Sequence, residues 1–174
     1  MWFRLAGAVL ALTVLVGSAT ARTSQSGVPS DAAATAAIIY NFTRFSTWPN
    51  ARFASTTSPV VLCVRQQHRL AGALSSLDGR PVGSRALSVR VTSDFDSRCH
   101  AAVIHNNDAS PANLAALASD GVLTIGESPG FAAHGAIGLF TVGRQIRFEI
   151  NNRVARSAGV TLSSRLLRLA AAVR

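Results

Sequence analysis

Four histidines, two cysteines and eight carboxylates are the groups in this 174-residue chain that could do acid–base, nucleophilic or metal chemistry. Their spacing argues against most of it. His100 and His105 lie five apart around an apolar run, an odd offset that sends them to opposite faces of a strand. Cys99 and His100 diverge for the same reason, and His68 and His134 stand apart in sequence, so no pair has metal-ligand spacing. No serine sits in a G-x-S-x-G turn, and Ser163-Ser164 fit helix capping. Asp94 and Asp96 read as turn formers. The Gly-rich segment from Gly126 to Gly138 follows an apolar run and invites comparison with a phosphate loop. It matches neither G-x-G-x-x-G nor G-x-x-x-x-G-K-[ST] and leads into a strand, so tight-turn chemistry is the better reading. The expectation is a protein that is not an enzyme and holds neither metal nor cofactor.

The compartment follows from the N-terminus. Arg4 precedes an apolar run from Leu5 to Val16, and Ala19-Thr20-Ala21 matches a small-x-small cleavage pattern. The run is too short for a membrane span, which needs roughly twenty residues. Residues 1–21 are therefore read as a cleaved signal peptide, 22–30 as a disordered leader and 31–174 as one folded domain. In an oxidising compartment Cys63 and Cys99 are expected to form one disulfide, stabilising the fold by roughly 3–4 kcal/mol in the chain-entropy model. The net charge is +9, and all seventeen basic residues are arginine. Export and the scattered placement of these arginines argue against nucleic acid and favour an acidic protein surface, anionic headgroups or a cell-wall polymer.

Residues 31 to 49 read as a helix that Pro49 stops, with Ile38, Phe42, Phe45 and Ile39 on its apolar face. Strands are expected over 59–65, 87–91, 99–104 and 122–125, with helices over 67–77 and from Ser110-Pro111 to Asp120-Gly121. Such alternation is the mark of a parallel sheet covered by helices. The fold class is α/β: a single three-layer domain, mostly parallel sheet flanked by helices, with a C-terminal antiparallel hairpin and a terminal helix. The hairpin turns at Gly143-Arg144 in a two-residue II′ loop. This pairs Thr141 with Ile146, Leu139 with Phe148 and Ile137 with Ile150 on an apolar face. Phe140 with Arg147, Val142 with Gln145 and Gly138 with Glu149 form the other. A short helix closes near Gly159, and a last helix carries Leu162, Leu166, Leu169 and Val173 on one stripe with Arg165 and Arg168 off it. Phe140, Arg147, Glu149, Arg165 and Arg168 are the candidate partner-binding residues.

The segments AAIIYNFTRFSTWP, LCV, Cys99-His100, VLTIGESPGFAAHGAIGLF and RQIRFEINNRVARSAGVTLSSRLLRLA resemble, in order and spacing, the YfiR family of periplasmic proteins across residues 33 to 171. The resemblance implies a compact α/β domain that dimerises and has no enzymatic activity. It further implies repression of a membrane-bound diguanylate cyclase through that enzyme's periplasmic sensor region, or binding of another sensor protein, with consequences for cyclic di-GMP and biofilm. Cys63 and Cys99 match one family disulfide; a second, expected near residues 130 to 145, has no cysteines here, which withdraws the basis for redox control through it. A small-molecule or cell-envelope-binding module, using the crevice at the strand ends, is the second reading.

Overall fold

The computed structural model describes residues 31–174; the signal peptide and leader read from the sequence lie outside them. Helix α1 (Asp31–Arg44) opens the fold, followed by the two-residue strand β1 (Ser46–Thr47). Strand β2 (Val60–Arg65), helix α2 (Ala71–Ser75), β3 (Pro81–Val82) and β4 (Arg85–Thr92) come next. Then follow β5 (Ala101–Ile104), α3 (Pro111–Ser119), β6 (Leu123–Gly126), β7 (Ile137–Val142) and β8 (Gln145–Ile150). The chain ends with α4 (Asn152–Ser157), β9 (Thr161–Leu162), α5 (Ser164–Leu169) and β10 (Ala172–Val173). Eight strands form one sheet in the order β10-β8-β7-β6-β5-β2-β4-β3, while β1 and β9 pair separately and antiparallel. The ladders among β4, β2, β5, β6 and β7 are all parallel.

Strand parity sorts the core into two layers. Leu62, Val64, Ala101, Val103, Leu123, Ile125, Ile137 and Ile150 face the larger cluster, which Ile39 and Phe42 of α1 and Leu74 of α2 complete. The alternate positions Cys63, Ala102 and Ile104 face the other way, onto Leu114 and Leu117 of α3. Burial on both sides explains why β2, β5 and β6 are almost continuously apolar in sequence. From β2 the chain runs through α2 to β4 on one side of the sheet, then recrosses to β5 on the other. The connections therefore part between β2 and β5, with α2 on one face and α3 on the opposite one.

The hairpin has the register expected from its alternation, Val142↔Gln145 through Ile137↔Ile150. Gly143 has φ +59, and among the described residues no non-glycine residue, Arg144 included, has positive φ, as a II′ turn requires of its two central positions. The bond between Cys63 and Cys99 is formed, with Cα atoms 5.8 Å apart.

The C-terminus differs from expectation. The last helix covers only Ser164–Leu169; Leu162 belongs to β9 and Val173 to β10, which pairs in parallel with β8. Ser163 caps the helix with its Oγ accepting from Leu166 N at 3.2 Å, and Ala170 leaves helical geometry at φ −66, ψ 143. Backbone bonds from Ala171 N to Phe148 O and from Arg174 N to Ile150 O, 2.8 and 2.9 Å, compete successfully with a continued helix. Leu169 is left 61% exposed. The first helix likewise stops at Arg44 instead of running on to Pro49, because Ser46 and Thr47 are drawn into pairing with Leu162 and Thr161.

The Gly-rich segment serves close packing more than turning. A Cβ on Gly126 or Gly135 would lie 2.3 or 2.0 Å from the Phe131 ring, and one on Gly138 would lie 3.1 Å from Ala132 N. Only Gly130, at φ +72, is a left-handed turn position in this stretch. Gly135→Ala should therefore overpack the buried Phe131 ring and cost about 1–3 kcal/mol, read as a lowered midpoint in chemical denaturation. Gly130→Ala tests strain at the turn, since nothing crowds its Cβ.

Candidate functional site

The five residues put forward for partner binding do not form one patch. In the hairpin, Phe140 and Arg147 stand opposite each other on the face away from α1, with Phe140 half-buried and Arg147 exposed. Glu149 shares that face, and its Oε2 accepts from Arg174 Nη2 at 3.0 Å. Arg165 and Arg168 ride on α5, exposed, at the end of α1 and on the opposite side of the sheet. There an apolar groove of about 450 Å³ runs between α1, β8 and α5, lined by Ile38, Phe42, Phe45, Phe148, Leu166 and Leu169. Phe42 and Phe148 meet edge to face at 4.9 Å on its floor. The guanidinium groups of Arg44 and Arg165 lie 5.8 and 5.4 Å from the Phe45 ring centre, so both cations flank one aromatic ring at the rim. No carboxylate lines this groove, so its character is apolar and basic.

A second, polar constellation lies at the carboxyl ends of the parallel strands, where the connections part. Arg65, the last residue of β2, holds Asp108 in a two-pronged pair, Nε–Oδ2 2.6 Å and Nη2–Oδ1 3.0 Å. His68 follows in the β2–α2 loop. Its Nδ1 accepts from Leu70 N at 3.2 Å, and its Nε2 faces Glu127 Oε2 at 3.9 Å. The ring of His105, just past β5, meets the His68 ring edge-on at 5.9 Å. Burial depresses the His68 pKa, with Glu127 opposing that shift and His105 and Arg69 adding to it. Arg69 pairs with Glu127 Oε1. In the chain α2, β3, β4 and β5 separate His68 from His105, and only the parallel ladder of β2 on β5 brings them together. Among the described residues no three side chains of metal-ligating type converge.

His100 has a structural environment. Its Nδ1 accepts from Val61 N at 3.1 Å and its Nε2 sits 3.2 Å from Arg52 O. Phe53 stacks on it at 4.5 Å, and Trp48 Nε1 donates to its backbone carbonyl at 2.9 Å. Burial first, then the Arg52 charge, push its pKa down to about 4. Asp96 anchors the turn before Cys99: it takes Arg98 and Arg90 guanidinium hydrogen bonds, which hold its carboxyl well below the usual range.

The model of the YfiR/HmsC-like family matches residues 32–171, nearly all of the described chain. The chain belongs to the YfiR/HmsC-like family. No curated protein matches it. Within this YfiR/HmsC-like domain the arrangement offers two kinds of surface: an apolar, arginine-rimmed groove at α5 and a charge-balanced polar cavity at the strand ends. No helix among the described residues is long and apolar enough to cross a membrane.

Proposed function

We propose that this YfiR/HmsC-like protein is a periplasmic regulatory binding protein that represses an inner-membrane diguanylate cyclase by binding the cyclase's periplasmic sensor region. The family match over residues 32–171 carries the reading. The disulfide, a bond that persists in oxidising compartments, supports a site of action outside the cytoplasm. On this reading residues 1–21 are removed on export, residues 22–30 form a leader, and the mature domain acts as a homodimer.

Repression requires differential affinity. A protein that binds only the inactive conformation of its target shifts the population by the ratio of its two affinities and by no more. The α5 groove suits this task. Phe45, Phe148 and the exposed Leu169 provide apolar area for an anchoring side chain, Arg165 and Arg44 provide charge for an acidic rim, and Arg168 is exposed on the same helix α5. The hairpin face with Phe140, Arg147 and Glu149 is the other contact surface under this proposal.

Because Arg165 and Leu169 are exposed, the double substitution Arg165→Glu/Leu169→Asp should leave the melting temperature within a few degrees of wild type. It should weaken partner binding by at least about tenfold through lost apolar contact and reversed charge. Cellular cyclic di-GMP measured after replacing the gene with this variant should rise toward the level of a deletion strain. Wild-type cyclic di-GMP in the variant strain, or in the deletion strain, would contradict the proposal.

A further inference from the structure

The larger cavity, about 800 Å³, opens beside the first turn of α1 at the carboxyl edge of the sheet. Crevices outside the carboxyl ends of parallel strands are where open α/β sheets take small ligands. Its apolar wall is made by Ala34, Leu139 and Ile146, and its charged groups are Asp31, Arg69, Glu127 and Arg144. Two cations against two anions make the cavity neutral in a chain of net charge +9, so its electrostatics are set apart from the rest of the protein.

The Glu127 carboxylate is half-used. Arg69 takes Oε1, while Oε2 has no donor within hydrogen-bond reach among the described residues; His68 Nε2 stands 3.9 Å from it. His68 is 6% exposed, and because Leu70 N–H occupies Nδ1, the neutral ring carries its proton on Nε2, turned toward that carboxylate. Glu127 lines the cavity while His68 stays buried behind it, so the carboxylate keeps acceptor capacity for a ligand hydroxyl. Arg144, exposed at the hairpin turn, lines the same cavity and makes no ion pair among the described residues.

We propose that this cavity binds a neutral polyhydroxylated ligand, a mono- or disaccharide. A hydroxyl both donates and accepts, so it adds to the Arg69–Glu127 pair without parting it. An anion would meet Glu127 and Asp31, a cation would meet the two arginines, and a zwitterion would have to separate a pair that already neutralises itself. The apolar wall suits the C–H face of a sugar ring. This inference goes beyond the cyclase reading and stands without it, because its test contains no partner protein.

The test is thermal unfolding and calorimetric titration of the exported chain with maltose, N,N′-diacetylchitobiose, glycylglycine and inorganic phosphate. At least one disaccharide should raise the melting temperature saturably, by several degrees at about a hundredfold excess over its dissociation constant. Glu127→Gln, which keeps the shape and removes the charge, should weaken that binding by about tenfold or more, and Arg144→Ala, at an exposed turn, should weaken it as well. Arg165→Glu, in the groove at the other end of α1, should leave it unchanged. Binding of glycylglycine or phosphate in preference to both sugars, no response to either sugar, or wild-type sugar affinity in both cavity variants would each overturn the proposal.

Discussion

Replacing Cys63 and Cys99 together by alanine is expected to destabilise the domain by about 4 kcal/mol, the entropy of closing a loop with a sequence separation of 36. For a domain of this size that corresponds to a melting temperature lower by about 10–15 °C. The closed loop contains α2, β3 and β4, which run out to one edge of the sheet before the chain returns to β5 beside β2. The bridge ties the start of β5 to the middle of β2, holding in the unfolded chain the two strands whose non-local pairing Leu62↔Ala101 and Cys63↔Ala102 forms the centre of the sheet. Both sulfurs are buried in the α3-side layer, so the native state also loses packing against Ile104, Leu114 and Val122. Arg90 Nη2 lies 3.0 Å from Cys99 Sγ but is also held by Asp96 at 2.9 Å, so it keeps a partner when the sulfur is gone. Urea denaturation of the double variant measures the effect; an unchanged midpoint would show that the bridge does not constrain the unfolded chain.

The second large effect is a loss of stability on mild acidification. His100 is held with a pKa near 4, against 6.5 for the free side chain. The unfolded state therefore binds a proton that the folded state refuses. The stability contributed by neutral His100 is fully present above pH 6.5, declines as pH falls from 6.5 towards 4, and is flat below that. A difference of this size corresponds to about 3 kcal/mol across the window. Burial of His68 depresses its pKa too, so it contributes in the same direction. Melting temperature followed from pH 7.5 to 4 should fall, and His100→Gln, which cannot titrate, should flatten most of that fall while starting from a lower value because the Val61 N–H contact is altered. An equal slope in wild type and His100→Gln would place the titration elsewhere.

What the chain order alone disclosed, and what it hid, follows from how far each signal extends. The hairpin was legible to the residue because six alternating positions on each side of Gly143-Arg144 can satisfy only one register. The β2, β5 and β6 strands were legible because burial on both faces leaves short apolar runs between turn residues. The two-residue strands β1, β3, β9 and β10 have no period to detect. Leu162 and Leu166, four apart, mimicked a helical stripe, yet Leu162 belongs to a strand pair fixed by Ser46, far away in the chain. The Gly-rich segment pointed to turns, whereas Gly126, Gly135 and Gly138 make room for Phe131 and Ala132, a reason visible only once β6 and β7 lie side by side. The candidate partner residues occupy two neighbouring stretches of sequence. The sheet places Phe140, Arg147 and Glu149 on one side of itself and Arg165 and Arg168 on the other. His68 and His105, with no meaningful spacing in sequence, meet at the carboxyl ends of adjacent strands.

If this domain grips another protein's sensor region, as proposed, the affinity of the purified protein for the periplasmic region of a membrane diguanylate cyclase of the same cell tests that most directly. Titrated at low and at high salt, wild type should bind with an affinity that falls as salt rises, and Arg165→Glu/Leu169→Asp should bind at least about tenfold more weakly with an unchanged fold. No binding at low salt would contradict the account.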